Sequence, residues 1–444
     1  MALSGKSPMW QPESECMARE ELEQLQLERL EATLARAYLH VPFYRKKFDA
    51  VGFDPDGFRS LADLRKVPFT TKEDLRAHQP YGLFAVPLRD VVRIHSSSGT
   101  TGRATAVGYT RNDMRTWADL VARLLVAGGV TKDDVVQVAF DYGLFTGAFG
   151  LHAGAERVGA SVIPVSTASV SRQLQIMRDY RSTALVCTPS HALHLADALL
   201  ESGVPRSALA LRTGLFGAEP WSGAMRREIE EKLSITATDN YGLSEVMGPG
   251  VAGECLERNG LHVAEDHFLV EVIDPQTLEP VPAGEVGELV VTTLTREANP
   301  VVRYRTRDLT ALPPGACPCG RTLRRMARVK GRSDDLLFVG GVKVFPSEIE
   351  AVLFDVEGTE PHYQIVLERR AGVDEATVLV EISEQIFFDQ MKRQVDFRDQ
   401  IRRRLAETLG IAVEVKLVGK RSLERSQGKA RRVVDLREGP QSSG

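Results

Sequence analysis

The N-terminal part of this sequence has the spacing of an amphipathic helix. Over residues 19–45, apolar side chains recur three and four positions apart among glutamates, arginines and alanines. This repeat places the apolar side chains along one helix face. The pair Val41-Pro42 interrupts it, because the residue before a proline avoids helical backbone angles. We therefore expect an amphipathic helix that ends before Val41-Pro42.

The middle of the chain alternates short apolar runs with helical patterns. The apolar runs are 135–140, 160–163 and 184–187, and the helical patterns include 170–180 and 191–201. Between residue 91 and about residue 291, this alternation predicts parallel βαβ units whose sheets are covered on both faces. The run 288–294 is predicted as a strand of a separate, more antiparallel part.

A cluster of glycine and charged residues at 330–335 predicts a domain boundary. At 444 residues, the chain exceeds the size at which one hydrophobic core keeps growing. Beyond the cluster, the patterns predict helices at 345–354 and 388–409 and strands at 364–368, 376–382 and 413–418. We predict an α/β protein with a large domain over 1–333, which has covered sheets and a β-barrel-like part, and a small mobile α+β domain over 334–444.

Composition and charge exclude some classes of binding partner. The formal net charge is −4, with 43% hydrophobic and 26% charged residues, as in ordinary globular proteins. Arginine patches at 321–325 and 431–432 are short and interleaved with apolar residues, which is typical of solvated faces and not of a nucleic-acid surface. No apolar run approaches the ~20 residues of a membrane span, and no apolar signal segment follows Met1. We expect a cytoplasmic protein without a nucleic-acid or membrane partner. The sequence leaves open whether the protein forms a homodimer.

A run of hydroxyl residues and glycines at 95–103 is the first candidate for chemistry. It follows the apolar segment 91–94 and reads His-Ser-Ser-Ser-Gly-Thr-Thr-Gly-Arg. Glycines let backbone N–H groups converge and the hydroxyls add donors, so such a loop suits an oligophosphate. It lacks the Gly-Lys-Ser/Thr ending of a Walker A motif, which argues against a P-loop NTPase. By itself, the pattern is weak, because runs of serine, glycine and threonine are more often plain flexible loops.

Four later motifs follow this loop in a fixed order. They are Asn240-Tyr241-Gly242-Leu243-Ser244-Glu245, Tyr304-Arg305-Thr306-Arg307-Asp308, Gly331-Arg332-Ser333-Asp334-Asp335 and Gly428-Lys429. Together with the loop, they make the chain resemble the adenylate-forming superfamily of acyl-CoA synthetases, adenylation domains and luciferases. Within that superfamily, essentially the whole chain is similar to the branch of phenylacetate-CoA ligases and other aryl-CoA ligases.

The resemblance implies a ligase reaction in two steps. A carboxylate attacks the α-phosphate of ATP to give an acyl-adenylate and pyrophosphate, and the thiol of CoA then displaces AMP. The implied nucleotide contacts are Ser96, Ser97, Ser98, Gly99, Thr100, Thr101 and Gly102 for the β- and γ-phosphates, Ala218, Glu219, Asn240, Tyr241 and Gly242 around adenine, Asp308 at the ribose, and Arg332. Ser244 would donate to the α-phosphate, and Glu245 would hold Mg²⁺, which prefers oxygen ligands.

Lys429 is implied to be the catalytic lysine, carried on the mobile small domain. Its ammonium would bridge the substrate carboxylate and the α-phosphate while charge develops there. Because this charge serves only the first step, the family rotates the small domain about the hinge residue matched here by Asp334. The turn that contains Gly341 and Lys343 would then line the thioester-forming site.

Cysteine and histidine residues indicate a metal site. Cys255 and His262 are followed by Cys317-Pro318-Cys319, and three thiolates with one imidazole can complete a tetrahedral zinc site. Their spacing is not the usual Cys-x₂-Cys pattern, so free cysteines with an unrelated histidine are the alternative. His267 is the alternative imidazole. Because some sequences of the resembled branch carry Cys and His here, we expect a structural Zn²⁺ site without an open position. The odd total of five cysteines argues against a disulfide framework.

The acid pocket is expected between Tyr142 and Phe145 on one side and Ala218 with Pro249 on the other. Aromatic side chains pack well against a ring, and Gly147 leaves room for it. We expect an aromatic carboxylic acid, such as phenylacetate, indoleacetate or a substituted benzoate.

Two other functions stay open on the sequence. A stand-alone adenylation enzyme would load the aromatic acid onto a carrier-protein thiol and not onto CoA. A non-catalytic nucleotide-binding protein would have no need for the lysine.

Overall fold

The computed structural model describes residues 7–97, 105–335, 337–339, 342–356, 358–370, 373–382, 391–423 and 432–437. Its helices are α1 Pro12–Glu15, α2 Arg19–His40, α3 Pro42–Asp49, α4 Lys72–Ala77, α5 Arg111–Ala127, α6 Thr146–Val158, α7 Val170–Asp179, α8 Pro189–Glu201, α9 Gly223–Leu233, α10 Pro346–Phe354 and α11 Met391–Leu409. Its strands are β1 Arg93–Ser96, β2 Ala106–Tyr109, β3 Val135–Val138, β4 Ser161–Ile163, β5 Ala184–Cys187, β6 Thr213–Gly217, β7 Thr236–Leu243, β8 Gly248–Glu254, β9 Leu261–Val263, β10 Phe268–Ile273, β11 Gly287–Thr293, β12 Tyr304–Thr310, β13 Arg325–Met326, β14 Gly331–Arg332, β15 Leu337–Val339, β16 Val342–Val344, β17 Thr359–Arg370, β18 Val373–Ile382, β19 Glu414–Val418 and β20 Val433–Asp435.

An eight-stranded sheet forms the centre of the large domain, in the order β13-β9-β8-β7-β6-β5-β3-β4. Strands β4, β3, β5, β6 and β7 are parallel, and β8, β9 and β13 continue the sheet in antiparallel fashion. The parallel strands are joined by α6, α7, α8 and α9, as the alternating pattern predicted. Their carboxyl ends lie at one edge, where open α/β sheets bind ligands.

A second, antiparallel sheet has the order β10-β11-β12-β14. It contains the run predicted as a strand of a more antiparallel part, which forms β11 between β10 and β12. Every residue of β11 is buried. Pairing of β12 with β14 sets Asp308 opposite Arg332.

The small domain has its own sheet, in the order β19-β18-β17-β20, with β15 and β16 as a separate hairpin. Its apolar core draws on residues from Leu337 to Val415 and is separate from the cores of the large domain. The α/β class, with a large N-terminal and a smaller C-terminal domain, is thereby confirmed. Phe354 at the end of α10 packs against the core beneath α8 and α9.

Two expectations from the sequence are wrong. Parallel units do not begin at residue 91, because β1 and β2 pair with each other in antiparallel register. Parallel pairing needs a crossover of about a dozen residues or more, and the connection here is shorter. The arginine patch at 321–325 is not a solvated face, since Arg321 and Arg325 are 3% and 5% exposed. Arg321 instead forms a buried ion pair with Glu15, with 2.6 Å between Nε and Oε2.

Among the residues that the structure describes, no helix combines the length and the apolar character that a bilayer crossing requires.

Candidate active site

The ends of the hydroxyl-rich loop are fastened to each other and to a neighbouring loop. Ser97 N–H donates to the carbonyl of Thr105 at 3.0 Å, and Thr105 N–H donates to Ser97 Oγ at 3.0 Å. Ser96 N–H donates to the carbonyl of Leu144 at 2.9 Å. The base of the loop is thus closed and lies beside the segment predicted to bind the acid. The remaining predicted phosphate contacts, Ser98, Gly99, Thr100, Thr101 and Gly102, lie outside the described residues.

The predicted adenine site lies at the carboxyl ends of the neighbouring strands β6 and β7. Asn240 Nδ2 donates to the carbonyl of Phe216 at 2.7 Å, which fixes its side chain against β6. A Cβ atom on Gly217 would lie 2.3 Å from the carbonyl oxygen of Asn240, so only glycine fits there. Ala218 then turns the chain with φ of 70°, and Glu219 Oε1 accepts from Ser190 N–H at 2.8 Å. The residues predicted on the two sides of adenine, Asn240 on one side and Ala218 with Glu219 on the other, therefore lie next to each other.

Ser244 and Glu245 lie in the turn between β7 and β8. Ser244 Oγ is 3.0 Å from Thr146 Oγ1 at the start of α6, a contact that the sequence pattern did not indicate. Glu245 is 9% exposed, and no described residue donates a hydrogen bond to its carboxylate. A buried carboxylate is costly unless a donor or a cation compensates it. The Glu245 side chain therefore fits the oxygen donor that Mg²⁺ prefers.

Asp308 is held by groups from two other strands. Tyr241 Oη donates to Asp308 Oδ2 at 2.5 Å, and Arg332 Nη1 lies 3.6 Å from Asp308 Oδ1. Burial, followed by the charge of Asp308, raises the pKa of Tyr241 and keeps the phenol a donor. The structure thus brings together three residues predicted from separate motifs.

Arg332 also forms a two-point ion pair with the predicted hinge residue. Its Nε and Nη2 atoms donate to the two carboxylate oxygens of Asp334, each at 2.8 Å. Burial lowers the pKa of Arg332, but the hydrogen bond to Asp334 and the charge of Asp308 outweigh it and raise the pKa overall. The guanidinium therefore connects the predicted ribose ligand to the start of the small domain.

The segment predicted to bind the acid precedes and begins α6. Tyr142 Oη is hydrogen-bonded to His152 Nδ1 at 3.0 Å, and its ring packs edge-on against Phe149. Phe145 is 39% exposed at the N-terminal boundary of this helix. A Cβ atom on Gly147 would meet only the Phe140 ring, at 3.8 Å, so space is left beside it.

Pro249 lies in the buried strand β8 and faces α5 and α6. Its carbonyl accepts from Trp117 Nε1 at 2.9 Å. A Cβ atom on Gly150 of α6 would lie 2.8 Å from Pro249 Cγ. Pro249 is therefore packed against the helix that carries Gly147, on the same side of the sheet as the Tyr142 segment.

A buried arginine connects β2 to the turn that carries Glu245, and sequence reasoning missed it. Arg296 is 1% exposed, and its guanidinium lies 4.2 Å over the Tyr109 ring. It donates to the carbonyl of Gly108 at 2.8 Å and contacts Met247 Sδ at 3.2 Å. No motif indicates this contact, because an arginine between polar residues reads as a surface residue.

The four predicted zinc ligands lie together. One donor atom from each of Cys255, His262, Cys317 and Cys319 lies within 4.8 Å of all the others, and all four residues are buried. The Sγ atoms of Cys255 and Cys317 are 3.7 Å apart, and Cys319 Sγ lies 3.4 Å from His262 Nε2. A tetrahedral zinc ion sets S···S and S···N edges of about 3.8 and 3.6 Å. The cluster therefore fits a zinc ion.

His267, the alternative imidazole, lies elsewhere. Its Nδ1 atom is 2.8 Å from Thr295 Oγ1 and its Nε2 atom 3.2 Å from Asp266. Lys429 and Gly341 lie outside the described residues, and Lys343 is described only through its backbone pairing with Phe338 in the β15–β16 hairpin.

Comparisons with known proteins decide the family. Residues 54–295 match the family described as AMP-binding enzyme, and residues 341–437 match the AMP-binding enzyme C-terminal domain. This chain belongs to the AMP-binding enzyme family. It is 48% identical to a phenylacetate-coenzyme A ligase of Thermus thermophilus over 97% of this chain and 100% of that relative. It is 51% identical to the Escherichia coli protein of the same name over 94% and 95%. The chain is an AMP-forming acyl-CoA ligase, with ATP and CoA as co-substrates.

Solved structures of this family also report on the domain arrangement. The 2-hydroxyisobutyryl-CoA ligase in the postadenylation state, in complex with 2-HIB-AMP, gives a TM-score of 0.90 at 33% identity, covering 96% of this chain and 91% of that one. The same ligase in the thioesterification state gives 0.70 over 96% and 92%. Because both structures are of the same ligase, the difference between the two TM-scores comes from a different placement of that ligase's domains. The structure of our AMP-binding enzyme is thus more similar to the postadenylation structure of that ligase than to its thioesterification structure.

Proposed function

We propose that this ligase activates an aromatic carboxylic acid, with phenylacetate as the first choice. The observation that carries the proposal is the near-full-length identity of about one half to relatives named phenylacetate-coenzyme A ligase. The aromatic lining from Tyr142 and the free space beside Gly147 agree with a ring-bearing acid. The names of these relatives favour CoA over a carrier protein as acceptor.

In the proposed first half-reaction, the acid carboxylate attacks the α-phosphate of ATP. The hydroxyl-rich loop holds the departing pyrophosphate, Ser244 donates to the α-phosphate and Asp308 accepts from the ribose hydroxyls. Tyr241 fixes the Asp308 carboxylate through its short hydrogen bond. Lys429 bridges the acid and the α-phosphate while charge builds on both.

Mg²⁺ held by Glu245 would neutralise charge on the phosphate oxygens. The support for this role is the buried carboxylate that receives no hydrogen bond from the described residues. Ser244 lies beside it in the same turn and is oriented by Thr146.

In the proposed second half-reaction, the CoA thiol attacks the acyl carbon and AMP departs. The small domain first rotates about Asp334, which withdraws Lys429 and brings the Gly341 and Lys343 turn to the site. Rotation has to break or carry along the ion pair between Arg332 and Asp334.

Zn²⁺ held by Cys255, His262, Cys317 and Cys319 would have a structural role. Four protein ligands leave no open position for a substrate. The location of the ligands agrees with a structural role, because the metal would connect two separate segments. Cys255 and His262 come from the β8–β9 hairpin, and Cys317 and Cys319 come from the loop between β12 and β13.

The deciding experiment measures pyrophosphate release with a panel of acids, in the presence and absence of CoA. Phenylacetate is expected to give the highest kcat/KM and to yield AMP and phenylacetyl-CoA, identified by mass spectrometry. The panel includes indoleacetate, benzoate, hydroxy- and aminobenzoates, and 2-hydroxyisobutyrate as an aliphatic control. Equal or higher kcat/KM with the aliphatic acid would overturn the aromatic assignment, and a thioester formed only on a holo-carrier protein would overturn CoA as acceptor.

A further inference from the structure

His95 is a buried histidine that lies directly before the hydroxyl-rich loop. It is 3% exposed and stands next to Ser96 at the end of β1. Its Nδ1 atom lies 3.1 Å from the carbonyl oxygen of Leu144. Ser96 N–H donates to the same oxygen at 2.9 Å. The base of the loop therefore holds the Leu144 peptide at two points.

The contact to Leu144 defines the tautomer of His95. A carbonyl oxygen can only accept a hydrogen bond, so the hydrogen of the ring lies on Nδ1. Burial lowers the pKa of His95, the bond to Leu144 raises it, and the charges of Arg93 and Arg296 lower it again, so the ring is neutral at pH 7. No described residue donates a hydrogen bond to the buried Nε2 atom. The polar contact of this side chain with the described residues is therefore the one made by its Nδ1–H.

Three aromatic rings hold the His95 ring in place. Its centroid lies 5.5 Å from that of Tyr109 and 5.8 Å from that of Trp117, both edge-on, and 5.3 Å from that of Phe149. Tyr109 and Trp117 are themselves fixed, because each donates a hydrogen bond to a backbone carbonyl in the segment that follows Glu245. A ring held in this way directs its N–H at one acceptor.

The Leu144 peptide lies between two parts of the site that serve the proposed first half-reaction. Leu144 stands between Tyr142 and Phe145, in the segment predicted to bind the acid. Two residues further, Thr146 Oγ1 lies 3.0 Å from the hydroxyl of Ser244, the predicted donor to the α-phosphate. On the other side of the Leu144 carbonyl lies the base of the loop predicted to hold the β- and γ-phosphates. A reaction between two bound groups depends steeply on their relative position.

We propose that His95 is a positioning residue for adenylation, whose Nδ1–H holds the Leu144 carbonyl and thereby fixes the segment predicted to bind the acid beside the hydroxyl-rich loop. The proposal rests on the proposed function, in which this loop holds the departing pyrophosphate. Because pyrophosphate leaves before the CoA thiol attacks, the loop and the acid have to be aligned in the first half-reaction only. Loss of the Nδ1–H donor therefore slows adenylation selectively.

The first test separates the donor from the ring. His95→Asn places an amide N–H where Nδ1 lies but removes ring volume, and His95→Phe keeps a ring without a donor. His95→Phe is expected to lower acid-dependent ATP–pyrophosphate exchange about tenfold, while thioester formation from synthetic acyl-adenylate changes by less than about threefold. His95→Asn is expected to keep both rates within about threefold of the wild type, although its melting temperature falls further because of the cavity. The acid used is the one that gives the wild type its highest exchange rate.

The order of the two variants decides between positioning and packing. A histidine that only fills space predicts that exchange is lost in His95→Asn and kept in His95→Phe, and this result would overturn the proposal. Equal losses in both half-reactions of His95→Phe would overturn it as well. His95→Leu covers a failure of His95→Phe to fold, because leucine has nearly the shape of asparagine and no donor. Its exchange rate is expected to lie about tenfold below that of His95→Asn, and equal rates would refute the role of the donor.

His78 provides the matched control. Its Nδ1 atom also lies near a backbone carbonyl, that of Asp74 at 2.8 Å, and its ring packs 4.7 Å from the Phe43 ring. It stands at the end of α4 and has no part in the proposed site. His78→Phe is expected to change the exchange rate by less than about twofold. A tenfold loss there would show that removing such a hydrogen bond acts through stability alone.

The second test needs no substrate, so it separates this proposal from the proposed function. Hydrogen–deuterium exchange measures the protection of Ser96 N–H, which shares the Leu144 carbonyl with His95. Peptides that cover 93–97 and 141–147 are expected to exchange about threefold faster or more in His95→Phe, and as in the wild type in His95→Asn. Unchanged protection in His95→Phe would overturn the positioning role, whatever the acid proves to be. The expected change in protection without turnover of any aromatic acid would support the positioning role and count against the proposed function alone.

Discussion

Tyr241 illustrates how single side chains gain their orientation at this site. The phenol donates to Asp308 at 2.5 Å, while Arg332 approaches the other carboxylate oxygen. A carboxylate held in advance loses less entropy when the nucleotide binds.

Replacing Tyr241 by Phe should therefore raise the KM for ATP about tenfold, since it deletes one hydrogen bond to a charged group. Steady-state kinetics with saturating acid and CoA measure the change. Tyr38→Phe is the matched control, because Tyr38 also donates to an aspartate, Asp49 at 3.0 Å, on an exposed surface. A KM for ATP unchanged in Tyr241→Phe would contradict the role of Asp308 at the ribose.

Replacing Lys429 by Ala should lower the adenylation rate by a factor of about 10² to 10³, as removal of a charge-stabilising donor typically does. Thioester formation from synthetic acyl-adenylate should stay close to that of the wild type, because the proposed domain rotation withdraws the lysine before this step. Pyrophosphate exchange and CoA-dependent AMP release measure the two halves separately. Equal losses in both would refute the assignment of this lysine.

At the scale of elements, the connection between the domains is short and constrained. β14 pairs with β12, and Asp334 follows directly while bound to Arg332 at two points. The proposed rotation of the small domain would have to change backbone angles within this segment.

Asp334→Pro should spare adenylation and suppress the second half-reaction, because proline fixes φ near −65°. Asp334→Asn is the control, since it weakens the ion pair to Arg332 but leaves the backbone free. We expect this control to keep both half-reactions within about threefold of the wild type. Rapid-quench measurement of AMP release from the bound adenylate distinguishes the two. Full thioester formation by Asp334→Pro would exclude this residue as the hinge.

At the scale of the whole molecule, the Cys/His cluster joins distant stretches of chain. Cys255 and Cys317 are 62 positions apart, yet their sulfur atoms are 3.7 Å apart. Binding of a metal to such a cluster stabilises the folded chain, because the unfolded chain does not hold the ligands together.

Protein purified without chelator should contain about one equivalent of zinc by plasma emission. Cys319→Ser should lose the metal and lower the melting temperature by several degrees, at about 2–4 °C for each kcal/mol of lost binding. Cys16→Ser is the control, because Cys16 is the exposed cysteine outside the cluster. Less than about half an equivalent of zinc in the wild type would count against the site.

The pattern of apolar residues was sufficient for much of the fold. The helical pattern at 170–180 forms α7, and the run at 184–187 forms β5, because local periodicity and burial agree there. The antiparallel pairing of β1 with β2 was missed, since pairing partners are chosen by connection length and packing and not by composition. Arg321 was misread as solvated because its partner Glu15 is distant in sequence.

The sequence by itself determined the family, the order of the motifs and the candidate Cys and His ligands of a metal site. These follow from residue types at given positions, which the printed chain contains in full. Only the tertiary structure decided that Tyr241 holds Asp308, that His262 and not His267 joins the cysteines, and that Thr146 contacts Ser244. Such contacts join residues far apart in the chain, so they depend on how sheets and domains pack, which no local pattern encodes.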